Sequence, residues 1–222
     1  MFLSRLILNP RSRQVRAEIA NLYEMHRTVL HAFAGPGSDP GRVLFRLDIH
    51  PRTSVPTLLV QSPYAPDWSF LLAPGKDYLL PDDALPLGVE NPAVKPLELR
   101  LRAGQTLAFR LRANPTVKKD RAGHEQGRRA GLLDEKAQLD WLKRKIEAAG
   151  GALLSASAVQ QAFVTGSLFR GNRRHELKFL AVQFDGVLAV QDPQRLTEAV
   201  AAGIGSAKGL GFGLLSLAPA GG

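Results

Sequence analysis

Residues that can move protons and offset negative charge stand close together near the N-terminus. Tyr23, His26 and Arg27 fall in a segment whose apolar residues recur with the period of an α-helix. Tyr23 and His26 are three residues apart and therefore share one helix face. An imidazole exchanges protons near neutral pH because its usual pKa is about 6.5. A histidine in this setting is more often structural, so acid–base chemistry on an anionic substrate needs a second signal.

That signal lies near the C-terminus, where five glycines and Lys208 fall within residues 203–213. Glycine lets the backbone approach a partner closely and adopt positive φ. Exposed N–H groups can then bond phosphate oxygens, with Lys208 as an added point charge. A tight helix-to-strand connection explains the local sequence equally well. A dinucleotide-binding loop needs a strand before it and a helix after it, and the order predicted here is the reverse.

Composition favours an anionic partner and restricts the chemistry. The 222-residue chain has a formal net charge of +9, which suits nucleic acid. It has no cysteine, so a disulfide, a thiolate metal site and a thiol nucleophile are excluded. Its five histidines show no metal-ligand spacing, and P-loop and serine-elbow patterns are absent. No apolar run approaches the roughly 20 residues of a membrane span. We expect a soluble, cytoplasmic protein without a cofactor.

The elements that must position these residues alternate between strands and helices. Predicted strands cover residues 2–8, 43–49, 57–61, 107–114, 159–169, 177–184, 186–190 and 213–217. Predicted helices follow a Ser12 cap as far as residue 30, run over 134–149 and begin at Pro193. Residues 63–96 are expected to be irregular, with short ordered pieces.

This order predicts an α+β protein with two tandem ferredoxin-like (RRM-like) domains. The first domain covers residues 1–114 and carries the helix with His26. A mobile basic linker covers residues 115–133, and the second domain covers residues 134–222, with a basic hairpin and the glycine-rich segment.

Basic side chains on the hairpin, in the linker and in the glycine-rich segment are candidates for contact with a nucleic-acid backbone. For the hairpin the alternative is a solvated charged turn, and for the linker it is a role in solubility. If the nucleic acid is an RNA stem, its A-form major groove is deep and narrow, so these residues should contact phosphates more than base edges. The candidate nucleic-acid-binding residues are Lys118, Lys119, Arg170, Arg173, Arg174, Lys178, Gly205, Lys208, Gly209 and Gly211.

Two terminal motifs together carry a resemblance to a known family. A Leu-x-Leu-Asn-Pro strand end precedes Tyr-Glu-Met-His-Arg at residues 23–27, and Gly-Ser-Ala-Lys-Gly-Leu-Gly-Phe-Gly-Leu-Leu occupies residues 205–215. With these motifs the chain resembles, essentially end to end, the CRISPR RNA-processing endoribonucleases of the type I-E Cascade complex, the CasE family. The resemblance implies two ferredoxin-like domains and metal-independent cutting of each repeat in precursor CRISPR RNA. It also implies lasting binding to the repeat stem-loop beside other Cascade subunits.

The resemblance also implies roles for individual residues. His26 matches the catalytic histidine and Tyr23 its frequent neighbour, and some relatives have a lysine at the position of His31. The ribose 2′-OH would attack the adjacent phosphate, giving a 2′,3′-cyclic phosphate and a 5′-OH. His26 would be the general acid or base and Tyr23 would orient the ribose or donate a hydrogen bond. Arg27, with His31, would offset charge.

Two non-catalytic functions stay open at this point. The chain could be an RNA-binding subunit of a CRISPR ribonucleoprotein complex, with Tyr23 and His26 in structural roles. It could also be an assembly protein whose basic surface contacts RNA presented by other subunits. Both alternatives predict tight RNA binding without cleavage by the purified protein.

Overall fold

The computed structural model describes residues 1–33, 39–119, 128–170 and 173–220, except for the side chains of residues 118–119, 128–129, 161–162, 165–170 and 173–177. The chain groups into two compact units. The first comprises Met1–Glu98, Thr165–Leu177 and Gly209–Gly211; the second comprises Leu99–Val164, Lys178–Lys208 and Phe212–Gly222. Strands paired in antiparallel ladders and a few helices make this an α+β protein. None of the helices in the described parts is long and apolar enough to cross a membrane.

The first sheet and its two helices come from the N-terminal part of the chain. The elements are β1 (Phe2–Ile7), α1 (Arg13–Ala20), α2 (Leu22–His31), β2 (Leu44–Ile49), β3 (Pro56–Ser62) and β4 (Ala93–Pro96). The strand order is β2-β3-β1-β4, and each neighbouring pair is antiparallel. Leu6 on β1 faces Leu58 on β3, and both are almost fully buried. Single 3₁₀ turns at Ser69–Leu71 and Asp82–Ala84 are the short pieces predicted between β3 and β4.

The predicted continuous helix from Ser12 to residue 30 is wrong at Asn21. There the backbone leaves helical geometry (φ −137°, ψ 87°), and the Asn21 N–H ends α1 by donating to the carbonyls of Ala17 and Glu18. The Asn21 side chain then accepts a hydrogen bond from the Tyr23 N–H and caps α2 (3.3 Å). Asparagine favours caps because its side chain competes for nearby backbone groups. The helix that carries His26 therefore begins anew at Leu22.

The second sheet comes from the rest of the chain. Its elements and neighbours are β5 (Thr106–Ala113), β6 (Thr116–Lys119), β7 (Arg128–Gly131), α3 (Glu135–Ala148), β8 (Gly151–Arg170), β9 (Arg173–Val190), α4 (Pro193–Ala202) and β10 (Leu215–Pro219). The strand order is β10-β5-β9-β8. Leu111, Leu142 and Phe184 are fully buried in the core of this unit. Asp134 and Asp192 cap α3 and α4 by accepting hydrogen bonds from backbone N–H groups.

Three sequence expectations change in this part of the chain. β5, assigned above to the first domain, pairs with β9 and β10 in the second sheet. The predicted strands 177–184 and 186–190 are parts of one strand, β9. Gly186 lies within this strand at a point where a Cβ would overlap the Ser155 carbonyl oxygen, so the glycine permits close packing and does not end the strand. Within the predicted linker, β6 and β7 form an antiparallel ladder, and residues 120–127 lie outside the described residues.

Candidate active site

The α2 helix presents Tyr23 and His26 beside its buried face. Leu22, Met25 and Val29 form the buried face. With 3.6 residues per turn, Tyr23 and His26 are about 60° apart around the helix axis, whereas His26 and His31 are about 140° apart. The structure therefore brings Tyr23 and His26 together, as predicted, and turns His31 away from them.

His26 is half-buried, and its imidazole is held against the sheet. Its ring stacks on Phe45 of β2, with 6.0 Å between ring centroids and 19° between ring planes. Nδ1 is buried, and it has no hydrogen-bond partner among the residues that the structure describes. Such an atom costs about 1–3 kcal/mol of folding free energy, and a catalytic role is one physical reason to retain it. With Nδ1 enclosed, the ring can reach a substrate only through Nε2.

Burial also sets the protonation state of this histidine. Removal of the ring from water lowers the pKa of His26 below its usual 6.5, because desolvation disfavours the charged imidazolium. At neutral pH the ring is therefore predominantly neutral. A neutral imidazole can accept a proton without first losing one, as a general base must.

Arg27 and His31 lie on the solvent side of α2, around a separate cleft. Arg27 pairs with Glu24 one turn away (3.0 Å), and both side chains are exposed. Exposed pairs of this kind contribute little stability, so the guanidinium can exchange this partner for a phosphate. His31 meets the ring of Phe70 edge-on, with 4.5 Å between centroids. These residues line a cleft of about 330 Å³ together with Gln14, Thr28, Leu71 and Lys76.

A buried polar network fixes α2 relative to α1 and the following irregular segment. The Glu18 carboxylate accepts hydrogen bonds from the Thr28 hydroxyl on α2 (2.7 Å) and from the Tyr78 hydroxyl (2.6 Å). Gln14 donates a third (2.8 Å). Burial and the Glu18 charge raise the pKa of Tyr78, so its hydroxyl stays protonated and donates. The network orients α2 and with it His26.

The candidate RNA-binding residues of the glycine-rich segment differ in their structural roles. Gly205 and Gly211 adopt positive φ (87° and 76°), as a glycine loop requires. Gly209 lies in a 3₁₀ turn, Lys208–Leu210, and a Cβ built on it would lie 3.3 Å from His26 Nε2. The Lys208 ammonium donates to the Ala202 carbonyl at the C-terminal end of α4 (2.7 Å). Lys208 therefore has a structural partner besides its predicted role with phosphate.

The remaining basic candidates are described only in part. Lys178 on β9 is exposed and lines a cavity of about 300 Å³ that also contains Ser206 and Ala207 of the glycine-rich segment. Asn114 and Phe179 line the same cavity. The other basic candidates have side chains outside the described residues: Lys118, Lys119, Arg170, Arg173 and Arg174.

Sequence reasoning missed the aromatic partners of both histidines. The sequence indicates only that Phe45 is one apolar residue of a strand, and Phe70 falls in the segment predicted to be irregular. Nothing in the local pattern links either ring to a histidine far away in the chain. Among the described residues, no group of three histidine, aspartate or glutamate side chains is arranged to hold a metal ion.

Comparison with known proteins first defines the class. The family model described as "CRISPR associated protein" matches residues 1–219. The CRISPR-associated endoribonuclease Cse3 of Thermus thermophilus is 35% identical over 99% of this chain and 100% of that protein. The Cascade subunit CasE of Escherichia coli is 30% identical over 99% of this chain and 100% of its own length.

Solved structures agree with this class. Cse3 bound to a 19-nucleotide RNA superposes with a TM-score of 0.82, at 36% identity and over 99% and 100% of the two chains. Thermus thermophilus Cse3 bound to an RNA that represents a pre-cleavage complex gives 0.76, at 35% identity and over 98% of each chain. The chain therefore belongs to the CRISPR-associated protein family and, within it, to the CasE-like proteins, which confirms the resemblance.

Proposed function

We propose that this protein is a metal-independent endoribonuclease that cuts precursor CRISPR RNA within each repeat. The observation that carries the proposal is the environment of His26, a neutral imidazole packed on Phe45 with Nε2 as its one accessible nitrogen. The Thermus thermophilus relative is named a CRISPR-associated endoribonuclease. A solved structure of Thermus thermophilus Cse3 contains an RNA that represents a pre-cleavage complex. These relatives support an enzyme over a passive RNA-binding subunit or an assembly protein.

The proposed step needs a base, an acid and cationic groups. The ribose 2′-oxygen bonds to the adjacent phosphorus while His26 Nε2 takes the 2′-hydroxyl proton. The bond from phosphorus to the 5′-oxygen of the next nucleotide breaks, and that oxygen takes a proton from a water molecule, which serves as the acid. Tyr23 orients the ribose or donates a hydrogen bond. Arg27, which lies with His31 in the separate cleft, offsets charge on phosphates beside the reacting one. The products are a 2′,3′-cyclic phosphate and a 5′-OH. His31, in the separate cleft, would act on flanking phosphates rather than on the reacting atoms.

A cleavage assay without available metal tests the function. We expect the purified protein in excess EDTA to cut an end-labelled CRISPR repeat stem-loop RNA at a single position. The 5′ fragment should carry a cyclic phosphate, which phosphatase removes only after acid opens the ring, and the 3′ fragment should accept phosphate from a kinase. Tight binding without any cut would contradict the proposal and favour the passive subunit. Cleavage that appears only after magnesium is restored would contradict metal independence.

We further propose that both units are ferredoxin-like domains. In the first, β1, β2, β3 and β4 correspond in order to the four strands of a βαββαβ chain, arranged as 2-3-1-4. In the second, β5, β8, β9 and β10 take the same places, arranged as 4-1-3-2, which is the same order read from the other edge. This correspondence supports a repeated domain with β5 as the first strand of the second copy.

The protein is also proposed to stay on the repeat stem-loop and to join other Cascade subunits in the cytoplasm. The name of the Escherichia coli relative, a Cascade subunit, supports this partner set. The glycine-rich segment, Lys178 and the arginines flanking residues 171–172 would contact phosphates, as the net charge of +9 favours.

Neutralising two hairpin arginines tests this contact. Arg173→Gln with Arg174→Gln should weaken stem-loop binding and lower the slope of log K against log salt by about 1–2, because each phosphate contact releases nearly one counterion. Fluorescence anisotropy at several salt concentrations measures the slope. Arg5→Gln with Arg16→Gln, which removes two exposed charges from the first unit, is the matched control. An unchanged slope in the hairpin variant, or an equal change in the control, would show that these arginines do not contact RNA specifically.

A further inference from the structure

Gly209 belongs to the glycine-rich segment, but its backbone conformation does not require glycine. Gly203, Gly205, Gly211 and Gly213 all adopt positive φ, which explains them by conformation alone. Gly209 does not; it lies within the 3₁₀ turn Lys208–Leu210, which any residue type with a side chain can form. A glycine here therefore needs another physical reason.

The reason is the ring of His26. A Cβ on Gly209 would meet three His26 atoms before any others: Nε2 at 3.3 Å, Cε1 at 3.6 Å and Cδ2 at 3.5 Å. Because Cδ2 and Cε1 would be almost as close as Nε2, the Cβ would lie over the face of the imidazole above Nε2, not in the ring plane where the Nε2 lone pair points. Nδ1 is enclosed. The ring cannot simply retreat, because its face packs on the fully buried Phe45.

A missing side chain at this point keeps the ring where the chemistry requires it. An oxygen that exchanges a proton with a general base must lie about 2.6–3.2 Å from the nitrogen, in the plane of the ring. A methyl group pressed on the ring face 3.3 Å from Nε2 would tilt or shift the imidazole and so move the nitrogen away from that oxygen. Resting on the function proposed above, we infer that Gly209 is a positioning residue that, by lacking a side chain, lets the imidazole hold Nε2 where a substrate oxygen can reach it.

Gly209→Ala is expected to slow single-turnover cleavage about 10–100-fold, because a misplacement of less than 1 Å at reacting atoms is costly. Binding of a stem-loop made uncleavable by a 2′-deoxy nucleotide at the cut site should fall by much less than the cleavage rate does, because alanine keeps the residue 209 N–H that would bond a phosphate and its methyl faces the imidazole. Gly131→Ala is the control: its backbone also lacks positive φ, and its new Cβ would make an ordinary contact with Leu180 (3.4 Å). Thermal denaturation should give similar midpoints for both variants.

A double-mutant cycle separates action through His26 from a general structural effect. If Gly209 acts only by serving Nε2, then His26→Ala with Gly209→Ala should cleave no more slowly than His26→Ala alone. Multiplied effects in the double variant, or a Gly209→Ala protein as fast as the wild type, would overturn the inference while leaving the function intact. A wild type that does not cleave would overturn the proposed function itself, and this inference with it.

Discussion

Replacing His26 with alanine is expected to slow cleavage of the repeat stem-loop by about 10²–10⁴-fold, the usual contribution of a general acid–base group. The expectation follows from a half-buried imidazole that is neutral at neutral pH and accessible to substrate through Nε2. Single-turnover rates with protein in excess over RNA measure the chemical step. Binding of an uncleavable RNA should be nearly unchanged, because the ring meets one reacting atom rather than the RNA backbone at large.

His31→Ala is the matched comparison on the same helix. His31 is exposed, lies about 140° around the axis from His26 and contacts Phe70 instead of Phe45. Its removal should therefore cost far less than the removal of His26. A loss of tenfold or less for His26→Ala, or an equal loss for His31→Ala, would contradict the assignment of His26 as the principal proton-transfer group.

The pH dependence of wild-type cleavage, compared with that of His26→Ala, reveals which proton His26 moves. As a general base it must be unprotonated, so the rate should fall as the pH drops through its pKa, which burial places below 6.5. Above that pKa the rate should level off until another group titrates. As a general acid it must be protonated, so the rate would instead fall as the pH rises through the same value. His26→Ala should lose this inflection in either case.

A single 2′-deoxy nucleotide on the 5′ side of the cut is expected to abolish cleavage. The proposed nucleophile is the 2′-oxygen, and no other group of the RNA can form the cyclic product. The protein should still bind the modified stem-loop within about threefold of the natural RNA, because removal of one hydroxyl leaves the phosphates and their contacts in place. Denaturing gels after long incubation would detect a residual cut.

Moving the deoxy nucleotide along the strand controls for general effects on RNA shape. The same substitution one nucleotide away from the cut should leave the rate within a few-fold of the natural RNA. Persistent cleavage of the substrate that is deoxy at the cut site would contradict 2′-OH attack and indicate an activated water as the nucleophile. Loss of cleavage at both positions would indicate a requirement for ribose recognition instead.

Local sequence signals determined most of the elements. Asp134 and Pro193 indicated where α3 and α4 begin. An aspartate oxygen can accept a hydrogen bond from a free N–H of the first helical turn, and proline has a φ already suited to that turn. Short apolar runs indicated β2 and β3, and alternating apolar residues indicated β5, each to within a residue or two. The spacing of Tyr23 and His26 likewise required a shared helix face. These features depend on neighbours in the chain, so the chain alone specifies them.

The apolar pattern did not show the rest, of which one feature is local and the other depends on long-range contacts. The period of apolar residues continues through Asn21, and local hydrogen bonds of its backbone and side chain separate α2 from α1. The periodicity of β5 indicates a strand but not its partners, which are β9 and β10.

At the candidate site, the sequence by itself determined that a tyrosine and a histidine share a helix and that a glycine-rich segment exists in a strongly basic chain. Only the tertiary structure decided that Phe45 packs on His26, that Gly209 lies against the His26 ring at Nε2 and that Lys208 bonds to the end of α4. It also decided that His31 belongs to another cleft. The physical reason is that protonation and access depend on which atoms exclude water from a ring, and residues distant in sequence supply those atoms.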